Sequence, residues 1–271
     1  MWQIGNTTVR SALRLREGLI ALKKSGNQGN IRGEEGEKIF RNLLSKYGVV
    51  DIGEDETFSA GRKWRSAMGK MGFLYPKLKG KEKSLQDQIG IPDYITPNGK
   101  RLIEAKSLSG WHECHLRAMV AYFIDYKDLI KLNQQKKRLE IVNSDKPRYP
   151  FIYILKILIY LNDFEGDSKI SMLEMGLIIQ CKDPKTNIKD VVSEIKDYRK
   201  KREVASSKTK FDDEYIYRKA QEIGLEEHTI AADYPDTTFR YLKATGVISS
   251  RGKKGIAIVP EELSNIREII E

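Results

Sequence analysis

The chain has 271 residues, 40% hydrophobic and 32% charged, with a formal net charge of +10. That length suits two domains of about 130 residues each, which bury enough surface to need no disulfide or metal staple. Apolar periodicity along most of the chain excludes a disordered polymer. The two distant cysteines, Cys114 and Cys181, exclude a disulfide framework and point to a reducing compartment. The positive excess favours a polyanion, either nucleic acid or an anionic membrane surface. The N-terminus lacks the basic start and apolar core of a signal peptide. The most apolar stretch, Tyr149 to Leu161, contains Lys156 and is too short to span a bilayer. A soluble, cytoplasmic monomer with no membrane partner is expected.

Taken in order, Ala12 to Lys24 reads as a helix, with Leu13, Leu15, Leu19 and Leu22 apolar. A Gly/Asn-rich break covers Ser25 to Gly33. Glu34 to Tyr47 carries a stronger helical stripe through Ile39, Phe40, Leu43, Leu44 and Tyr47. Ala60 to Met71 predicts a short helix with Ser59 as N-cap and Gly72 just past its end. Lys77 to Lys83 reads as a basic loop, and Gly110 to Ile124 as a helix. The charged segment Lys131 to Lys146 ends in Lys-Pro, which sets a domain boundary and gives units 1–145 and 146–271.

The second half opens with a buried helix, Phe151 to Leu161. After Ser171 to Cys181 comes a helix over Ile188 to Arg202, with Ile188, Val191, Val192, Ile195 and Tyr198 on its buried face. Lys200 to Lys210 reads as a basic linker, and Phe211 to Ile223 as another helix. Asp236 is expected to cap a short helix that stops at Gly246. Val247 to Val259 reads as two strands around the tip Arg251-Gly252-Lys253-Lys254-Gly255, before a last helix over Glu261 to Glu271.

An internal repeat organises these pieces. A short basic helix leads into Lys70-Met71-Gly72-Phe73-Leu74, then a basic loop, then Tyr94-Ile95-Thr96-Pro97 and a helix. Later a short basic helix leads into Ala244-Thr245-Gly246-Val247-Ile248, a basic tip, Ala257-Ile258-Val259-Pro260 and a helix. Helix, strand, basic turn, strand, helix is the ending of a winged helix-turn-helix. The predicted fold is therefore mainly α with small β wings (α+β), two winged-helix subdomains in tandem.

These pieces suit duplex DNA. A recognition helix needs one face that packs and one that reaches base edges and phosphates. In the first helix Trp64, Met68 and Met71 share the apolar side, leaving Arg62, Lys63, Arg65, Ser66 and Lys70. In the second, Phe239 and Leu242 are apolar, leaving Thr237, Thr238, Arg240, Tyr241 and Lys243 for a groove. Arg251, Lys253 and Lys254 at the second tip suit phosphate or minor-groove contact. The alternative for each residue is a solvated charge. Two such helices, each followed by a basic wing, favour DNA.

One constellation points to catalysis. Pro92-Asp93 and Glu104-Ala105-Lys106 match the spacing of PD-(D/E)xK nucleases, whose acids hold Mg²⁺ while the lysine activates water. A tight Asn98-Gly99 hairpin would bring Asp93, Glu104 and Lys106 onto adjacent strands. The competing reading makes Thr96 an N-cap and Pro97 the first residue of a helix, which leaves Glu104 and Lys106 in solvent. The internal repeat favours the helix, because Val259-Pro260 stands at the matching point. His112-Glu113-Cys114-His115 has no second ligand pair at zinc spacing and reads as structural.

The strings Trp2-Gln3-Ile4-Gly5-Asn6-Thr7-Thr8-Val9-Arg10, Arg62-Lys63-Trp64-Arg65, Ile95-Thr96-Pro97-Asn98-Gly99-Lys100-Arg101-Leu102-Ile103-Glu104-Ala105, Ile195-Lys196-Asp197-Tyr198-Arg199 and Thr237-Thr238-Phe239-Arg240-Tyr241 are spread along the chain. With them the sequence resembles the AlwI-like type IIS restriction endonucleases of restriction-modification systems and their nicking relatives. The resemblance implies a recognition region of two winged helices reading a short asymmetric site. It also implies a separate C-terminal PD-(D/E)xK domain that cuts nearby and uses Mg²⁺. This chain ends where that recognition region should end. The expectation is a recognition fragment or stand-alone specificity subunit, with no cofactor or catalytic centre of its own, bound to double-stranded DNA and served by a separate cleavage domain or subunit. Asn6, Thr7, Thr8 and Arg10 join the expected DNA-binding residues. Two alternatives remain: an Mg²⁺-dependent nuclease built on Asp93, Glu104 and Lys106, and a winged-helix transcriptional regulator.

Overall fold

A computed structural model describes residues 1–51, 58–124 and 148–271. The chain divides into two compact units: Gly5–Tyr122, and Phe123–Glu271 together with Met1–Ile4. The boundary expected at 145/146 lies outside the described residues, as does the charged segment that suggested it. The architecture is mainly helical with a small three-stranded antiparallel sheet, an α+β fold.

In the N-terminal unit a 3-10 turn (Ala12–Arg14) runs into α1 (Leu15–Ser25), followed by α2 (Gly33–Lys46) and α3 (Ser59–Lys70). Leu15, Leu19 and Leu22 of α1, Phe40 and Leu44 of α2, and Trp64 and Met68 of α3 are all buried. The helices approach closely through glycine. A Cβ on Gly61 would lie 2.2 Å from the Glu37 carbonyl oxygen, so α3 meets α2 only because that position is bare. Ser59 is the first helical residue rather than the cap; the N-cap is Phe58, at φ 53.

Gly72, at φ 66, turns the chain out of α3. Phe73 to Tyr75 then pair antiparallel with Asp93 to Thr96 through a bridge between Leu74 and Ile95. Between them lie a 3-10 segment (Gly80–Leu85) and the single turn α4 (Gln86–Ile89). Thr96 caps α5 (Pro97–Glu104), its hydroxyl accepting from the Gly99 N–H at 3.1 Å, with Pro97 in the first turn. Ser107 caps α6 (Leu108–Ala121) in the same way. Arg16 donates to the carbonyls of Leu102 and Ile103 and so satisfies the end of α5.

The C-terminal unit is built on α7 (Pro150–Glu165), which is buried almost all round. Strand β1 (Ile170–Ser171) leads into α8 (Met172–Glu174) and a π-helical turn, Met175–Ile179. Helices α9 (Ile188–Val204) and α10 (Lys208–Ile223) follow. They take up most of the segment expected as a linker over Lys200 to Lys210. That basic run is the charged side of two amphipathic helices, whose buried residues Val191, Val192, Ile195, Tyr198 and Ala220 hold them to the unit. A second π-helical turn (Thr229–Asp233) continues into α11 (Tyr234–Lys243). Asp236 therefore sits inside the first turn of α11 instead of capping it.

Strands β2 (Ile248–Ser250) and β3 (Gly255–Ile258) complete a sheet of order β1-β3-β2, in register at Ile248↔Ile258 and Ile170↔Ile256. A 3-10 turn from Pro260 to Glu262 and α12 (Leu263–Ile270) close the unit. The first residues of the chain also belong here. Trp2 donates its backbone N–H to Gln180 at 3.0 Å and its indole N–H to the Lys182 carbonyl at 2.6 Å. The Ile4 N–H donates to Thr238 Oγ1 at 3.2 Å.

Candidate nucleic-acid interface

The two units share a local signature down to single hydrogen bonds. Each has a helix ended by a glycine at positive φ, Gly72 in one and Gly246 (φ 79) in the other. Each then has an antiparallel pairing held by equivalent contacts, a single bridge in the first and the β2–β3 ladder in the second. The Thr96 N–H donates to the Phe73 carbonyl at 3.0 Å, and the Val259 N–H to the Val247 carbonyl at 3.0 Å. The bridge Leu74↔Ile95 corresponds to Ile248↔Ile258. Pro97 and Pro260 open the helical segments that follow.

This correspondence sets a common register for α3 and α11. Counting back from the two glycines, Trp64, Ala67 and Met68 stand where Thr238, Tyr241 and Leu242 stand, and all six are buried. The outward stripe is Arg62, Ser66 and Gly69 on α3, and Asp236, Arg240 and Lys243 on α11. Lys70 is exposed and Lys63 half-buried beside the first stripe.

Several expected groove contacts change. Thr237, Thr238 and Tyr241 are each 0% exposed and leave the set. Thr238 Oγ1 accepts from Ile4 N–H and from the Gln180 side-chain amide at 2.8 Å, while Thr237 donates to the Asp233 carbonyl. These hydroxyls are consumed inside the unit. Arg65 is also withdrawn, because it is only 12% exposed and donates to Glu37 at 2.9 Å. Arg62 keeps 57% of its side chain in solvent, with Glu37 at 3.9 Å.

Arg240 is presented differently. Its Nε donates to Asp236 at 2.8 Å, one helical turn earlier, while half the side chain remains exposed. An arginine held through Nε keeps its two terminal nitrogens for a bidentate acceptor. The spacing that could have revealed this partnership, Asp and Arg four apart, was legible in the sequence. Lys243 donates to Ser250 Oγ at 3.3 Å, at the end of β2. Beyond it Arg251, Lys253 and Lys254 are all exposed on the turn, which is closed by Arg251 N–H donating to the Gly255 carbonyl.

Residues 6–10 form a tight turn. The N–H groups of Thr8 and Val9 donate to the side chain and backbone of Asn6, and Arg10 Nε donates to the Thr7 carbonyl. Thr8 and Arg10 are exposed; Asn6 and Thr7 are half-buried and engaged in holding the turn.

The nuclease-like residues do not converge. Asp93 is buried at φ 62, its carboxylate gripped by Arg32 at 2.7 and 2.9 Å. Glu104 ends helix α5 with 68% of its side chain in solvent, near Lys23, and Lys106 is exposed beyond it. The Thr96 cap and Pro97 initiate a helix where the nuclease reading needs a hairpin, which removes Asp93, Glu104 and Lys106 as a catalytic set. His115 is fully buried, edge-on to Phe73 at 5.4 Å, and burial pushes its pKa down to about 4. His112 is shifted down by burial as well. Among the described residues no cluster of His, Cys, Asp or Glu is arranged to hold a metal ion.

The AlwI restriction endonuclease family model matches residues 69–271. The chain belongs to the AlwI restriction endonuclease family. No curated protein matches it. Membership in the AlwI family makes this a type II restriction enzyme chain whose partner is DNA. The matched residues include Gly72, the antiparallel pairings of both units and α11. Among the described residues no helix is long and apolar enough to cross a membrane.

The C-terminal unit also contains a cleft of about 780 Å³ between α9, α10 and the β1–α8 junction. Its two most buried acids are matched internally: Glu174 with Arg199 at 2.6 Å, and Asp212 with Arg202 at 2.8 Å. The most buried charges of the cleft are thus already paired with one another.

Proposed function

We propose that this chain is the DNA-recognition part of a type IIS restriction endonuclease, two winged-helix units reading a short asymmetric site. Cleavage is assigned to a separate domain or subunit, and the Mg²⁺ expected for the enzyme belongs to that cleavage centre. The observation that carries the reading is the duplicated signature: helix, glycine at positive φ, strand, basic turn, strand, proline-led helix, with the same closing hydrogen bond in each unit. Such a unit presents one helix and one turn to a duplex. The family supplies the chemical class of the partner.

In this reading Arg62 and Arg240 are the base-edge candidates, since each is exposed on the outward stripe. Lys63, Lys70, Lys243, Arg251 and Lys253 provide phosphate contacts, with Asn6, Thr7, Thr8 and Arg10 as an accessory turn. If about six phosphates are neutralised, the log–log dependence of affinity on salt has a slope of about −5.

The test is selection of bound duplexes from a random library, with the bound pool then exposed to Mg²⁺. Enrichment of one asymmetric site of about 4–7 base pairs, left intact, is expected. Binding without sequence preference would sink the recognition reading. Cutting of the pool by this chain alone would overturn the assignment of cleavage elsewhere.

A further inference from the structure

Gly69 stands on the outward stripe of α3, one position before Lys70, at the register point that Lys243 occupies in α11. Glycine is a poor choice for a helix, because it loses more conformational freedom on folding than alanine does. The other described glycines have an internal reason to be bare. Gly18, Gly36, Gly61, Gly99, Gly110, Gly176 and Gly255 would each bring a Cβ within 3.2 Å of a neighbour. The rest lie at positive φ. Among the described residues Gly69 alone has neither property: its φ is ordinary, and an added Cβ would meet nothing within 4 Å. Among the described residues, nothing in the packing gives a reason for glycine at this point.

The surroundings indicate what does. Arg62 and Lys70 are exposed near Gly69 on α3, Lys63 is half-exposed, and Ser66 lies one turn before it on the same stripe. A bare backbone within a cationic helical face fits a polyanion approaching to contact distance. We propose that Gly69 is a close-approach point for duplex DNA, kept without a side chain so that α3 can seat against the duplex. The inference rests on the recognition reading above and adds a residue that carries no charge or hydrogen-bonding side chain. It also assigns different roles to equivalent positions, since α11 reaches outward through Lys243 where α3 draws in.

The experiment compares the full chain with Gly69→Ala and Gly69→Gln, measuring thermal melting and affinity for the selected duplex. Gly69→Ala is expected to melt at or above the wild-type temperature, because alanine is the better helix former and no neighbour blocks it. Both variants should bind the duplex about 5- to 100-fold more weakly, the range of an overpacking clash, with Gly69→Gln the weaker. Unchanged affinity in both variants, against a wild type that binds, overturns the close-approach inference alone. A lowered melting temperature in Gly69→Ala also overturns it, by showing an internal packing role. Absence of any binding by the wild type defeats the recognition reading itself.

Discussion

The two units enter their antiparallel pairings through the same glycine turn and close them with the same hydrogen bond, yet they connect the paired segments in opposite ways. In the C-terminal unit four residues, Arg251 to Lys254, join β2 to β3. Gly252 at φ 69 and one backbone bond suffice to close them. In the N-terminal unit the corresponding connection includes two short helical turns and must be stitched. Gln86 accepts from the Leu78 N–H and donates to the carbonyls of Pro76 and Gly90. Arg32 then clamps Asp93 at the end of the connection. A tight hairpin is specified by its own backbone, whereas a long connection has to be held by side chains from elsewhere.

The units also differ in what anchors them, and the largest expected effect tests that. Trp2→Ala should destabilise the C-terminal unit by about 3–5 kcal/mol, the cost of truncating a buried tryptophan. The residue is 2% exposed and bonded to Lys182, so the loss should appear in hydrogen exchange of α11. Equal loss of protection in α1–α3 would show that the units do not respond separately.

Next, Arg32→Ala should cost the N-terminal unit about 3 kcal/mol, because it strands the Asp93 carboxylate in a buried site. Denaturant unfolding reads the loss, and Arg32→Ala combined with Asp93→Asn should recover part of it. A double variant as unstable as the single one would mean that the pair is not the clamp.

Acid should separate the units as well. His115 is fully buried and held neutral, with its pKa pushed down to about 4 from 6.5, whereas His228 in the C-terminal unit is exposed. The unfolded chain binds the proton more readily. The stability that His115 contributes is therefore complete above about pH 6.5, declines as pH falls, and is lost by about pH 4. Unfolding of the N-terminal unit followed across that window should show the slope, and His115→Leu should flatten it. A slope that persists in the variant assigns the effect to other groups.

The smallest effect concerns readout. Arg240→Ala should relax preference at one base pair by about 1–3 kcal/mol while sparing the others. Asp236→Asn should move the same position, because Asp236 holds the guanidinium. A uniform loss across all duplexes would make Arg240 a phosphate contact instead.

By itself the sequence determined the local geometry. Gly72 and Gly246 require positive φ, and Pro97 and Pro260 bring a fixed φ to helix starts. Thr96 before Pro97 is a cap, and with the matching Val259-Pro260 it decided helix against hairpin at Glu104. Such choices are made within four or five residues, so they are written in the string. Tertiary structure decided which polar side chains face water. Thr238 and Tyr241 share a helix with Arg240, yet both are buried, Thr238 beneath Ile4 and Gln180 in hydrogen-bonding terms. Asp93 became a clamp through Arg32, sixty-one residues away. Arg65 was withdrawn by Glu37 from a neighbouring helix. Burial and ion pairing depend on partners distant in the chain, and no local period encodes which partner arrives.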